Sequence, residues 1–233
     1  MYHETSGASE RCLTGGRMRK ALPWVLAAMA AIAFGVTFSE LARVRARLRL
    51  HDHREVRQYT IRLALAEVTH PIVVLGDSIT EIARMPESLC GYPIVNAGVS
   101  GATAADFSYL APILLKAKRP VLLVVALGLN DGSKARFASD YEALFAQLKS
   151  FGPVIAIAAT AVRSINDKVE AAAHAASIPF FEIEIPSTEL LDGIHFNEAA
   201  YRRWVPALSR AITAELRCEP TAPANGIRYD RPR

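Results

Sequence analysis

From Pro71 onward, short and continuously apolar runs alternate with longer stretches of mixed polarity. The runs at 72–75, 94–95, 121–127, 154–159 and 178–183 predict five strands. The stretches at about 104–118, 134–150 and 165–176, and a last one at about 197–217, predict helices. Strands that are apolar at successive positions are buried on both faces. Their alternation with helices predicts an α/β fold, a parallel sheet of about five strands covered on both sides. The segment 71–217 is long enough for one good core. Residues 218–233 hold three prolines and no apolar period, so they predict a disordered tail.

The N-terminal third follows another pattern. Residues 1–20 are polar and end in Arg17, Arg19 and Lys20. An uncharged run of 18 residues follows at 21–38, at the short end of what crosses a hydrocarbon core as a helix. Pro23 lies near its start, where a helix accepts proline, and Trp24 sits where an interfacial aromatic anchors. Segment 39–70 reads as a basic juxtamembrane helix and linker, with Leu41, Val44 and Leu48 at helical spacing.

Three readings of 21–38 compete: a single transmembrane anchor, a cleaved signal peptide, and a buried core helix. The anchor is preferred. Ala31-Ile32-Ala33 resembles a signal cleavage site, but the polar lead-in is long. No other part of the domain needs a further core helix. Arg11, Arg17, Arg19 and Lys20 precede the run, and Arg43, Arg45, Arg47, Arg49, Arg54 and Arg57 follow it. The positive-inside rule thus leans weakly against export. Export of the C-terminal domain across a bacterial inner membrane is nonetheless the expectation, by association with envelope functions. The arginines either hold anionic headgroups or merely flank the span.

Charge sharpens this division. The 233 residues carry 27 Lys and Arg against 23 Asp and Glu, and half of the chain is apolar. Such a composition excludes a charge-rich disordered chain. Residues 1–70 hold 11 basic and 6 acidic residues, a net +5, whereas 71–233 hold 16 and 17, a net −1. The domain offers no basic face for nucleic acid. Cys12, Cys90 and Cys218 are few and far apart, so free thiols are the default, with a Cys90–Cys218 pair as the exported alternative. His51-Asp52-His53 has no further ligand nearby and reads as solvated linker. No phosphate loop is present.

In sheets of this kind the chemistry sits at the carboxyl ends of the strands. The first strand runs into Gly76-Asp77-Ser78 and the second into Asn96-Ala97-Gly98-Val99-Ser100-Gly101. The third runs into Gly128-Leu129-Asn130-Asp131, and Asp192-Gly193-Ile194-His195 stands just before the last helix. Together, these blocks resemble the SGNH, or GDSL-type, hydrolase family, especially its small bacterial thioesterase/lysophospholipase branch. The resemblance covers 71 to about 217, and it implies a flavodoxin-like α/β/α sandwich and an acyl-enzyme ester hydrolysis with no cofactor.

Residue by residue, Ser78 is the expected nucleophile, with Gly76 permitting the tight strand-to-helix turn ahead of it. His195 is the base and later the acid, oriented by Asp192 three residues earlier. His3, His51, His53, His70 and His174 lack an aspartate at that offset ahead of a helix. The resemblance implies an oxyanion hole of the Ser78 and Gly101 backbone N–H groups and the Asn130 side chain. Asp77 and Asp131 are expected to bond loop backbone rather than to react. Short connections leave no room for a lid domain, so an open groove is expected, suited to lipid esters, thioesters or acetylated glycans. An inactive, membrane-tethered binding or scaffold module on the same fold is the alternative.

Overall fold

The computed structural model describes residues 15–218, with side chains outside 15–22 and 48–52. The tail expected to be disordered, apart from Cys218, lies outside the described residues, as do Cys12 and most of the polar lead-in. The chain forms two compact units, Met1–His53 and Arg54–Arg233. Helix α1 (Gly15–Ala66) supplies the whole described part of the first unit. Within it, Pro23–Arg47 is long and apolar enough to cross a membrane, an 18-residue stretch of it having a mean hydropathy of 1.9, and its side chains are exposed. That exposure excludes the core-helix reading of this run.

The second unit is built on a six-stranded sheet. In chain order its elements are β1 (Ile72–Gly76), α2 (Ser78–Ile82), β2 (Ser88–Leu89), β3 (Tyr92–Gly98) and α3 (Ala104–Leu115). There follow β4 (Leu122–Ala126), α4 (Phe137–Leu148), β5 (Val154–Ile157), α5 (Arg163–Ala175), β6 (Phe180–Phe181), a short 3₁₀ turn at Ser187–Glu189 and α6 (Glu198–Leu216). The strand order is β2-β3-β1-β4-β5-β6. All neighbours are parallel except the β2–β3 pair, which is antiparallel. The five parallel strands match the five apolar runs. β2 was not expected: two residues are too short to carry a period.

Residues alternate between the two sheet faces. Val73, Leu75, Leu123 and Val125 face one core with α3, α4 and α5, whereas Ile72, Val74, Leu122 and Val124 face another with α2 and α6. The result is the flavodoxin-like three-layer arrangement that the resemblance implied. Trp204 of α6 is fully buried, and its indole N–H donates to the Ala158 carbonyl at 2.8 Å. One feature extends past the expected boundary at residue 71. Residues 54–66 of α1 belong to the second unit, and Ile61 and Leu65, each 1% exposed, lie in its first core.

Cys90 and Cys218 are disulfide-bonded, 128 residues apart, with their Cα atoms 5.8 Å from one another. This overturns the default of free thiols. Distance in sequence gave no hint, because the fold brings the β2–β3 turn to the end of α6.

Candidate active site

Topology places the predicted residues together. β1 lies between β3 and β4, the point at which the chain has crossed to the other side of its first strand. Ligands in open α/β sheets bind at such a switch, outside the carboxyl ends. The turns after β1, β3 and β4 carry Ser78, Gly101 and Asn130 respectively.

Ser78 opens α2, so its N–H has no intrahelical acceptor. Asp77 caps this helix, its Oδ1 accepting from the Ile79 N–H at 3.0 Å. The turn needs Gly76, since a Cβ there would stand 1.9 Å from Thr80 Oγ1 and 2.8 Å from the Ala126 carbonyl.

His195 arrives from a loop held at its base. Leu190 and Phe196 form an antiparallel bridge, and the Leu191 N–H donates to the His195 carbonyl at 2.8 Å. Phe196 is buried and packs edge-to-face on Tyr201 and Trp204. The histidine Nε2 lies 3.0 Å from Ser78 Oγ, and Nδ1 lies 2.7 Å from Asp192 Oδ2. The other Asp192 oxygen accepts from the backbone N–H of His195 at 2.7 Å and of Ile194 at 3.0 Å. These bonds to backbone and ring hold the Asp192 carboxyl at about 2, below the usual range. It is therefore a carboxylate at any neutral pH. A serine, an imidazole and a carboxylate so connected can pass a proton from hydroxyl to ring while the ring keeps its orientation. The group is open to solvent: the side chains of His195 and Asp192 are 33% and 55% exposed.

The other predicted donors lie on the neighbouring turns after β3 and β4. Gly101 has φ +71°, a conformation that glycine adopts freely. Asn130 Nδ2 donates to the Ala102 carbonyl at 3.1 Å and lies 3.5 Å from Asp77 Oδ2. The primary amide has two N–H groups, and only the first of these contacts is short. Asp77 and Asp131 are buried and bond loop or helix backbone, as expected. Asp131 accepts from the Ala104 N–H with both oxygens at 3.2 Å, at the start of α3. Burial pushes the carboxyls of Asp77 and Asp131 up, to about 7 and about 6. No group of metal-ligating residues occurs among the described residues.

Several residues of the site were not assigned from sequence. Asn96 Nδ2 donates to the Thr80 carbonyl at 2.7 Å and the Ala83 carbonyl at 3.2 Å, and its Oδ1 accepts from Gly98 N–H at 2.9 Å. It staples α2 to the end of β3. Arg54 and Arg57, read as headgroup ligands or span flanks, bond backbone carbonyls instead, Arg57 at the end of β3 and Arg54 at Gly101 in the turn after it. Their position beside a basic stretch masked this; the only signal was helical phase with the buried Ile61 and Leu65.

The profile of the GDSL-like Lipase/Acylhydrolase family matches residues 74–203. No curated protein matches the sequence. Solved structures with a similar fold include a GDSL-like lipase from Bacteroides thetaiotaomicron, with 19% identity, TM-score 0.53 and coverage of 68% of this chain and 98% of that one. A lipase/acylhydrolase from Enterococcus faecalis is 22% identical, with TM-score 0.51 and coverage of 65% and 99%. A catalytic mutant of an acetylxylan esterase from Geobacillus stearothermophilus is 16% identical, with TM-score 0.51 and coverage of 64% and 95%.

Proposed function

Because the chain belongs to the GDSL-like lipase/acylhydrolase family, and is thus a carboxylic-ester hydrolase, we propose that it works through an acyl-enzyme on Ser78, tethered to a membrane by its N-terminal helix. The single observation that carries the mechanism is the connected line Ser78 Oγ, His195, Asp192, with contacts of 3.0 and 2.7 Å.

The steps follow from that line. His195 Nε2 takes the Ser78 proton as Oγ attacks the ester carbonyl carbon. Asp192 holds the Nδ1 proton and stabilises the imidazolium. The carbonyl oxygen becomes an oxyanion, met by the N–H groups of Ser78 and Gly101 and by an Asn130 amide N–H. Removal of one such donor costs about 10²–10³-fold in kcat in well-studied hydrolases. The tetrahedral species collapses, and the alcohol or thiol leaves with the proton from Nε2. His195 then deprotonates water, which attacks the acyl carbon and releases the acid and the free Ser78 hydroxyl.

The substrate class we propose is a lipid ester, thioester or acetylated glycan. Support comes from the solvent-open catalytic group, which admits an acyl group on a large carrier. The exposed apolar run at Pro23–Arg47 supports the anchor, although a signal sequence passes the same test of length and composition. The Cys90–Cys218 bond supports export, since disulfides persist in oxidising compartments.

The test is hydrolysis of a panel of short- and long-chain esters and thioesters by the full chain and by Ser78→Ala. Ser78→Ala is expected to lose at least 10³-fold in turnover, with its thermal midpoint nearly unchanged. Retained turnover in Ser78→Ala sinks the assignment.

A further inference from the structure

Arg54 and Arg57 lie before the residues that the family profile matches, on the part of α1 that belongs to the second unit. Together they reach the end of β3 and the turn that carries Gly101. Arg57 Nε donates to the Gly98 carbonyl at 2.7 Å, and one of its terminal nitrogens donates to the Asn96 carbonyl at 2.8 Å and to Asn96 Oδ1 at 3.1 Å. Its guanidinium also stands 3.8 Å from Glu81 Oε1. The other Glu81 oxygen accepts from the Ser100 N–H at 2.6 Å and the Ser100 hydroxyl at 2.7 Å. Arg54 donates to the Gly101 carbonyl at 2.7 Å and to Asp106 Oδ1 at 3.4 Å. Asp106 Oδ2 in turn bonds Thr103 at the start of α3.

The peptide between Ser100 and Gly101 carries the N–H assigned to the oxyanion. A peptide is planar, so its direction is set by two angles only, ψ of residue 100 and φ of residue 101. Residue 101 is glycine at φ +71°, where the backbone by itself has little preference. The bonds just described fix the groups on either side. Glu81, paired with Arg57, holds the Ser100 N–H, and Arg54 holds the Gly101 carbonyl. The N–H between them is thereby aimed. Catalytic donors must be held to about 0.5 Å and 10–20° to act in the transition state.

We propose that Arg54 and Arg57 are positioning residues for the oxyanion hole, holding the end of β3 and the turn to Gly101 through their backbone carbonyls. This rests on the reading of Gly101 as an oxyanion donor. The end of α1 then supports the oxyanion hole and is not a spacer. The two arginines differ in what can replace them. Arg57 serves three acceptors with a fixed fork of donors, which a lysine ammonium cannot span. Arg54 has one short bond to a carbonyl, and lysine can keep it.

The test uses the full chain in detergent, with Arg54→Ala, Arg54→Lys, Arg57→Ala and Arg57→Lys. Thermal midpoints are recorded, and steady-state hydrolysis of p-nitrophenyl acetate and hydrogen exchange of the Ala102 amide, which bonds the Val99 carbonyl at 2.9 Å, are measured well below the melting range. Arg54→Ala is expected to lower kcat about 10–10²-fold, less than full loss of a donor, with KM within about twofold. Exchange at Ala102 is expected to quicken in the same variant. Arg54→Lys recovers most of the kcat, whereas Arg57→Lys stays as low as Arg57→Ala. Should the Arg57 variants fail to fold, the Arg54 pair decides. Unchanged kcat and unchanged exchange in Arg54→Ala overturn the proposal, as does a kcat loss that Arg54→Lys does not repair. If the unaltered chain hydrolyses no ester, it is the function in the preceding section that fails, and the exchange rates alone then judge whether Arg54 holds the turn.

Discussion

At the scale of single residues, the site contains carboxyls of opposite character. Asp192 is open to water and held ionised by backbone and ring donors. Asp77 is buried beside Asp131 and His195, and burial pushes its carboxyl up to about 7. An unfolded aspartate titrates near 3.9. Between about pH 4 and pH 7 the folded chain therefore keeps a proton that the unfolded chain has lost, and stability falls as pH rises through that window. Below it both states are protonated, and the contribution is fully present. Asp77→Asn keeps an oxygen for the Ile79 N–H and removes the titration. The melting temperature of the unaltered chain is expected to drop relative to Asp77→Asn as pH rises from 4 to 7. Parallel curves across that range contradict the buried-carboxyl account. Ser78, Asp192 and His195 were singled out in the sequence because their blocks resemble a known family; of their contacts only that of Asp192 with His195, three residues apart, is encoded by spacing, and the fold supplies the one between Ser78 and His195. Arg54 and Arg57 were not, because no such block carries them and their partners, 39 to 47 residues away, are backbone carbonyls, which no side-chain pattern marks. An arginine beside an apolar span also reads as its flank.

Elements were legible to the extent that they had a period. The five parallel strands and the four helices from α3 to α6 fall where apolar runs and mixed stretches placed them. β2 was invisible at two residues, and α2 at five residues reads only as a turn. The larger difference is the end of α1. Ile61 and Leu65 pack against the same core as Val73, Leu75 and Phe107. A residue so buried is felt when truncated: Leu65→Ala is expected to cost about 2–5 kcal/mol in urea unfolding of the chain. A change under about 0.5 kcal/mol is the surface value, and would return residues 54–66 to the linker.

For the molecule as a whole, the separation of charge between the N-terminal third and the rest of the chain now has two parts. The basic excess flanks the uncharged run at 21–38, while two of its arginines serve the second unit itself. The Cys90–Cys218 bond closes a loop around most of that unit. Loss of such a cross-link by Cys90→Ser is expected to cost about 2–5 kcal/mol, measured by unfolding with and without reductant. Equal stability of the two proteins under non-reducing conditions, with both thiols open to alkylation in the unaltered chain, contradicts the bond and with it the argument for export.

The central claim is that Ser78 is the nucleophile. Treatment of the folded chain with a fluorophosphonate, followed by mass spectrometry of its peptides, addresses that claim directly. The account predicts one adduct, on Ser78, formed at a rate that falls sharply in His195→Ala. A folded chain that resists the reagent, or carries the adduct on another residue, contradicts it.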